Sequence, residues 1–391
     1  MNALVRNAAV ALLVAAFGAA GCSSTNNNPP DAGGLGGKAG AGGAAGRASA
    51  QGTGGQGGNT GAAGTTGTVI VSPGVGYLWY AGDQLNAFTQ DETTASNDDG
   101  PGITVAPSSP SARFHDLAFD RDGQLWTVPT TGDQILRLPA ASLGGGSGPA
   151  VPNLVLTSPG LVSPQSLAFD PAGNLWVVNF AGAGVGVANI VCFKAPQAWS
   201  GNMNASPSVT ISPAADAQSM GQFIEGTALA FDSKGSLWFA SVSTVLRIDS
   251  PGTLAGAVTA APAAAISTGD AYTSIAFDTN GSLWISATTQ GYVALRIDNP
   301  GALTGLVSPT PAARVGLSSA NAVFVGGLSF DKNGALWVMT SNRILEITSP
   351  AALVGQVTAS PAVTLGLPAA VMSGLASKLV FRPTPAGLPI Y

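Results

Sequence analysis

Five stretches of the chain carry one phrase: LAFDRDGQLW (Leu117 to Trp126), LAFDPAGNLW (Leu167 to Trp176), LAFDSKGSLW (Leu229 to Trp238), IAFDTNGSLW (Ile275 to Trp284) and LSFDKNGALW (Leu328 to Trp337). A phrase that returns at this period marks stacked copies of one unit, each too small to bury its apolar face alone. In the unit that starts at Thr227, LAF reads as a strand, DSKG as a tight turn, SLWFA as a second strand and VLRID as a third. AAAI follows as a fourth after the linker SPGTLAG, which returns as NPGALTG (Asn299 to Gly305) and SPAALVG (Ser349 to Gly355). Short apolar runs separated by turn residues, with no sustained period of 3.6, are strands rather than helices. Four strands per unit is the pattern of a β-propeller blade, so the expected class is all-β.

Spacing sets the number of blades. The phrase aspartates Asp120, Asp170, Asp232, Asp278 and Asp331 are 50, 62, 46 and 53 residues apart, and LVFRPTPAGLPIY puts Arg382 in the same register 51 residues further on. At a mean of about 52 residues, the 324 residues from Thr68 onward hold about six four-stranded blades, with seven the alternative. YLWYAGDQLNAF (Tyr77 to Phe88) supplies another LW strand and its successor. One blade is therefore expected to be completed by both ends of the chain, with Leu379 to Phe381 beside the N-terminal strands, leaving no open sheet edge at the seam.

Each position of the phrase has a structural role. Apolar LAF suits a strand beside a central axis, the aspartate accepts backbone N–H bonds across the turn, and the glycine takes a positive φ. These turn residues are Asp120 and Gly123, Asp170 and Gly173, Asp232 and Gly235, Asp278 and Gly281, and Asp331 and Gly334. Trp126, Trp176, Trp238, Trp284 and Trp337 recur at one strand position and are expected to fill the wedges between blades. One carboxylate per turn is a poor cage for a hard cation.

The start of the chain reads differently. Arg6 precedes an apolar run from Ala8 to Phe17, too short for a membrane span, and Ala19, Ala20 and Gly21 precede Cys22. That order resembles the lipobox of bacterial lipoproteins, with Ala19 where leucine is commoner. The resemblance implies that residues 1–21 are a signal peptide, that Cys22 is lipidated, and that the chain is exported and held at a membrane. Ser23 after the cysteine implies sorting to the outer membrane, on its periplasmic or its outer side. Residues 23–67 are mostly Gly, Ala, Ser, Thr, Asn and Gln and cannot bury enough apolar surface to fold. They read as a tether whose root-mean-square span is roughly 35–40 Å, leaving 68–391 as the propeller domain. With Cys22 lipidated, Cys192 has no partner for a disulfide; aligned with Arg137, Arg247, Arg296 and Glu346 on the third strand, it reads as a free, accessible thiol. A net charge of −5 with 9% charged residues lacks the basic stripe that nucleic acid requires.

The pattern LAFDxxGxLWV with RI about ten residues on resembles the NHL-type and SMP-30/gluconolactonase-like propellers, and also the streptogramin lyases. The resemblance covers about Val69 to Tyr391 and implies the fold, whereas activities in this group range over lactonases, a lyase and many binding modules. In a blade the first-to-second and third-to-fourth turns share one face, and both repeat here. The opposite face carries loops that differ from unit to unit, where a ligand site is expected to collect. Its polar residues are His115, Asp116, Asn179, Asp216, Glu225, Asp270, Tyr272 and Asn321. Asp116, Asn179, Glu225 and Asp270 are oxygen donors that could share a calcium, magnesium or zinc ion. Glu225 and Gly226 resemble the Glu-Gly that bears a metal ligand in SMP-30-like chains, although here the pair falls in a middle blade. A lyase of the streptogramin type relies on paired histidines, and His115 is the one histidine of this chain. The expectation is thus a monomeric, non-catalytic lipoprotein, without a cofactor, offering its variable face to a protein, glycan or small ligand. A metal-dependent lactonase is the alternative.

Overall fold

The computed structural model describes residues 76–108, 113–144, 147–180, 189–213, 228–241, 243–287, 291–317, 325–368 and 378–382. The chain divides into Met1–Ile70 and Val71–Tyr391, and every described residue belongs to the second unit. Cys22, the tether, Asp216, Glu225 and Asn321 lie outside the described residues.

Six sheets form a ring, and each contains one full repeat. Five blades run outward in chain order from an inner strand that contains the first residues of the phrase: Phe114–Phe119 in blade 2, Pro164–Phe169 in blade 3, Ala228–Phe231 in blade 4, Ile275–Phe277 in blade 5 and Val325–Phe330 in blade 6. Blade 1 is a composite. Its inner strand is the C-terminal Leu379–Arg382, paired antiparallel with Tyr77–Ala81, so that Leu78 faces Phe381 and Trp79 faces Val380. The ring is closed between the two ends of the chain, as the register of Arg382 predicts.

The linker does more than connect. After a residue in the left-handed region (Ser250, Asn299 and Ser349, each at φ 50°) a proline opens a short 3-10 turn, and a positive-φ glycine (Gly256, Gly305, Gly355) then starts another strand. These strands, Gly256–Ala260, Gly305–Val307 and Gly355–Ala359, pair in parallel with the outer strand of the preceding blade, as do Gly148–Ala150 and Gly201–Asn204. Five of the six blades thus have five strands where four were expected. In blade 6 the same place is held by a single parallel bridge between Leu365 and Asn97, which comes from the corresponding connection of blade 1. Each blade therefore lends backbone hydrogen bonds to its predecessor all the way round.

The wedges between blades are filled as the phrase predicts. Trp79, Trp126, Trp176, Trp238, Trp284 and Trp337 meet Phe119, Phe169, Phe231, Phe277, Phe330 and Phe381 of the next blade edge to face, with ring centroids 5.5–6.1 Å apart. Edge-to-face contact places the positive ring edge on a negative ring face, which adds directionality to the burial of large apolar area. The third strand adds a second tie. Arg137, Arg247 and Arg296 lie over the indoles of Trp126, Trp238 and Trp284 and donate to backbone carbonyls in the linker of the following blade.

Cys192 takes this arginine position in blade 3, but its thiol is buried rather than accessible. Its neighbours in the core, on the same sheet face and on blade 4, are apolar. Burial pushes the thiol up to about 12. Because the thiolate is the reactive species, the native protein is expected to be inert to a thiol-specific disulfide reagent at about pH 8 and to react fully once unfolded in denaturant. Rapid labelling of the native chain would contradict the burial.

Candidate functional site

The turn face is chemically spent. Oδ1 of each phrase aspartate accepts two backbone N–H bonds across its turn: Asp122 and Gln124 for Asp120, Ala172 and Asn174 for Asp170, Lys234 and Ser236 for Asp232, Asn280 and Ser282 for Asp278, and Asn333 and Ala335 for Asp331. The other oxygen accepts the indole N–H of the phrase tryptophan, at 2.8–3.0 Å in blades 2 to 5 and 3.4 Å in blade 6. The aspartate thus locks a turn and orients a wedge at once. Blade 1 has Arg382 in that register, and there Trp79 Nε1 has no hydrogen-bond partner among the described residues.

On the opposite face the polar loop clusters differ from blade to blade, while around the channel one contact to the next blade's backbone recurs. At the central channel, Asp116 on the inner strand of blade 2 is 3% exposed. Its Oδ1 accepts Leu117 N, while Oδ2 accepts Ser166 Oγ and Leu167 N of blade 3. Lys378, immediately before the closing strand, places Nζ 3.8 Å from Asp116 Oδ2 and donates to Leu167 O at 2.8 Å. Desolvation raises the pKa of Asp116 and lowers that of Lys378, and their mutual attraction opposes both shifts. Ser166 Oγ in turn accepts Leu229 N of blade 4, so one network joins the inner strands of blades 1 to 4. Ser274 does the same for Leu328 N between blades 5 and 6.

His115 is the extra residue of a β-bulge between Phe114 and Asp116, the kind of irregularity that turns one side chain away from strand alternation. It is half-buried, and desolvation pushes its imidazole down to about 4. For a histidine held neutral, stability is fully present above the unfolded value near 6.5 and is lost as pH falls through about 4. The loss should amount to about 1–3 kcal/mol after allowing for partial exposure. As the sole histidine, its C–H resonance can be followed without assignment; a midpoint near 4 is expected by NMR, and one near 6.5 would contradict the buried environment.

The remaining predicted residues fall into two further places. Asn179 is 2% exposed, and its amide is used locally: Oδ1 accepts Val162 N, and Nδ2 donates to Gly160 O and Asn189 Oδ1. It shapes the loop between blades 2 and 3. Asp270 and Tyr272 lie in the connection from blade 4 to blade 5, where Thr268 Oγ1 bonds to both Asp270 Oδ2 at 2.9 Å and Tyr272 OH at 2.7 Å. Arg314 Nη1 approaches the same carboxylate oxygen at 3.5 Å. Burial raises the pKa of Tyr272.

Asp116 and Asp270 therefore belong to separate clusters, each with its own cation. Among the described residues no three His, Cys, Asp or Glu side chains are grouped to hold a metal ion. Lys378, Ser166 and Arg314 escaped the sequence reading. The first two stand directly before the apolar start of the phrase, so extending its register by one residue gives Asp116, Ser166, Ala228, Ser274, Gly327 and Lys378 as the ring around the channel.

No protein-family model and no curated protein matches this chain. Among solved structures, it is similar to a protein of unknown function from Bacteroides caccae, at 13% identity and a TM-score of 0.51 over 78% of this chain and 98% of that one. It is also similar to virginiamycin B lyase from Staphylococcus aureus (15% identity, 68% of this chain and 75% of that one, TM-score 0.44) and to a protein assigned as a gluconolactonase (12%, 68% and 87%, TM-score 0.40). At these identities the likeness extends to the fold, and the chain is a six-bladed β-propeller closed by its own C-terminal strand.

Proposed function

We propose that this protein is a membrane-anchored, non-catalytic lipoprotein whose propeller presents its loop face to a ligand in the cell envelope. The reading is carried by the contrast between the faces. The five Asp-x-x-Gly turns on one side repeat the same hydrogen-bond set, whereas on the other side the loop clusters around Asn179 and around Asp270 differ from each other in residues and contacts. The channel chemistry supports binding over catalysis: Asp116 accepts three hydrogen bonds and faces a lysine, and an imidazole with a pKa near 4 is a weak base at neutral pH. Cys22 and the tether supply the anchor in this reading, at the outer membrane.

The test has two arms on the full-length mature chain. On an array of envelope glycans and small acids it is expected to bind saturably, and with calcium, magnesium or zinc it is expected to leave simple lactones intact. Lactone hydrolysis that disappears on chelation and on Glu225→Ala would overturn the proposal in favour of a metal-dependent hydrolase. Radiolabelled fatty acid incorporated into the wild type and absent from Cys22→Ser tests the anchor separately.

A further inference from the structure

Arg314 breaks the repeat in a way that blade folding does not require. It lies on the fourth strand of blade 5 opposite Leu295, and the equivalent positions of the other blades hold Thr104, Val155, Thr210, Ala265 and Thr364. Five blades are built without a charge there.

The arginine is nonetheless held in place. Its guanidinium stacks 5.7 Å from the centre of the Tyr292 ring, and the fully buried carboxylate of Asp270 holds Nη1 from behind. Thr268 fixes that carboxylate in turn. Arg137, Arg247 and Arg296, by contrast, are almost fully buried and donate to carbonyls of the neighbouring linker. Arg314 keeps 26% of its side chain exposed, and Asp270 is its one polar contact among the described residues. The guanidinium is thus partly exposed, and its donors other than the one facing Asp270 have no partner among the described residues, in an orientation set by a ring and a carboxylate. A guanidinium immobilised in this way loses little further entropy on binding and matches a planar carboxylate through two parallel hydrogen bonds.

We propose that Arg314, backed by Asp270 and Tyr292, is a receptor for a carboxylate group on a small ligand or sugar acid at the loop face between blades 4 and 5. The inference rests on the loop face being the ligand-binding face. It assigns the chemistry and the place.

Saturation-transfer NMR on the full-length chain with galacturonate, succinate and galactose provides the test. Galacturonate should give contact signals while galactose gives none; if succinate also binds, the site accepts any carboxylate, and if it does not, the sugar ring is part of the recognition. Arg314→Lys keeps a positive charge opposite Asp270, so the variant should remain folded by circular dichroism, but it loses the two-pronged geometry and should bind roughly tenfold more weakly. Absence of binding by both acids, or equal binding by wild type and Arg314→Lys, would overturn the assignment. If other ligands bind the loop face with no effect of Arg314→Lys, the assignment fails while the proposed function stands.

Discussion

Replacing Lys378 by Met should lower the unfolding free energy by about 3–5 kcal/mol near pH 7, since it strands a buried carboxylate without its counter-charge. Asp116 is 3% exposed, and among the described residues its one ion pair is with the ammonium of Lys378. The lysine also ties the closing strand to blade 3 through Leu167 O, so the loss falls on the seam where the chain ends meet. The pH dependence has a definite sign. Burial already raises the pKa of Asp116, and removing the lysine raises it further. A carboxyl with a folded value above its unfolded one contributes stability while protonated and loses that contribution as pH rises through the folded value. Urea unfolding should therefore show a smaller deficit for Lys378→Met near pH 5 than near pH 7. Adding Asp116→Leu should recover only part of the deficit at pH 7: neither buried charge then remains, but Leu117 N, Leu167 N and Ser166 Oγ lose their acceptor. A deficit of the same size at both pH values would show that the lysine acts by packing alone.

Trp176→Ala should cost about 3–5 kcal/mol, the usual range for emptying a large aromatic site. The ring is fully buried, meets Phe231 of the next blade and donates to Asp170. Asp170→Ala should cost about 2–4 kcal/mol, as it frees two backbone N–H groups of the turn and leaves the indole N–H buried without an acceptor. The two residues share one hydrogen bond, so the double variant should fall short of the sum of the singles. Blade 1 provides an internal control. Trp79 has no such bond, so Trp79→Phe should be milder than Trp176→Phe, which removes one of the two hydrogen bonds that Asp170 Oδ2 accepts. Full additivity of the Asp170 and Trp176 changes would remove the coupling between turn and wedge.

Most of the scaffold was legible because its causes are local and repeat. A turn that needs an acceptor at one place and a positive φ three residues later writes Asp-x-x-Gly into every unit. A wedge that needs a large ring writes tryptophan. The second role of the aspartate, as acceptor for that ring, was hidden because the two residues are six apart and a single repeated position can serve two partners. The fifth strands were missed for another reason. GAVTA and GQVTA are short, mostly exposed edge segments, so they lack the apolar alternation that marks a half-buried strand. The candidate site was legible as a face and not as a set of contacts. Asp116 and Asp270 were found because carboxylates are conspicuous in a chain with 9% charge, but their cations come from residues 262 and 44 positions away. Only the ring closure, and the packing of the blade 4 to blade 5 connection against the fourth strand of blade 5, bring those pairs together.

The separation of the two faces can be tested directly by tethering. Cys192 is buried, so in a Cys22→Ser background a new surface cysteine is the selective point of attachment. Lys234→Cys lies on the exposed Asp232 to Gly235 turn, and Val162→Cys lies in the exposed connection on the opposite face. Each variant is coupled to a solid support through a bulky carrier and its binding to the same glycan and small-acid array is measured. Binding should survive attachment at residue 234 and be lost or strongly reduced by attachment at residue 162; loss at residue 234 with full binding at residue 162 would place recognition on the repeated turns and contradict the account.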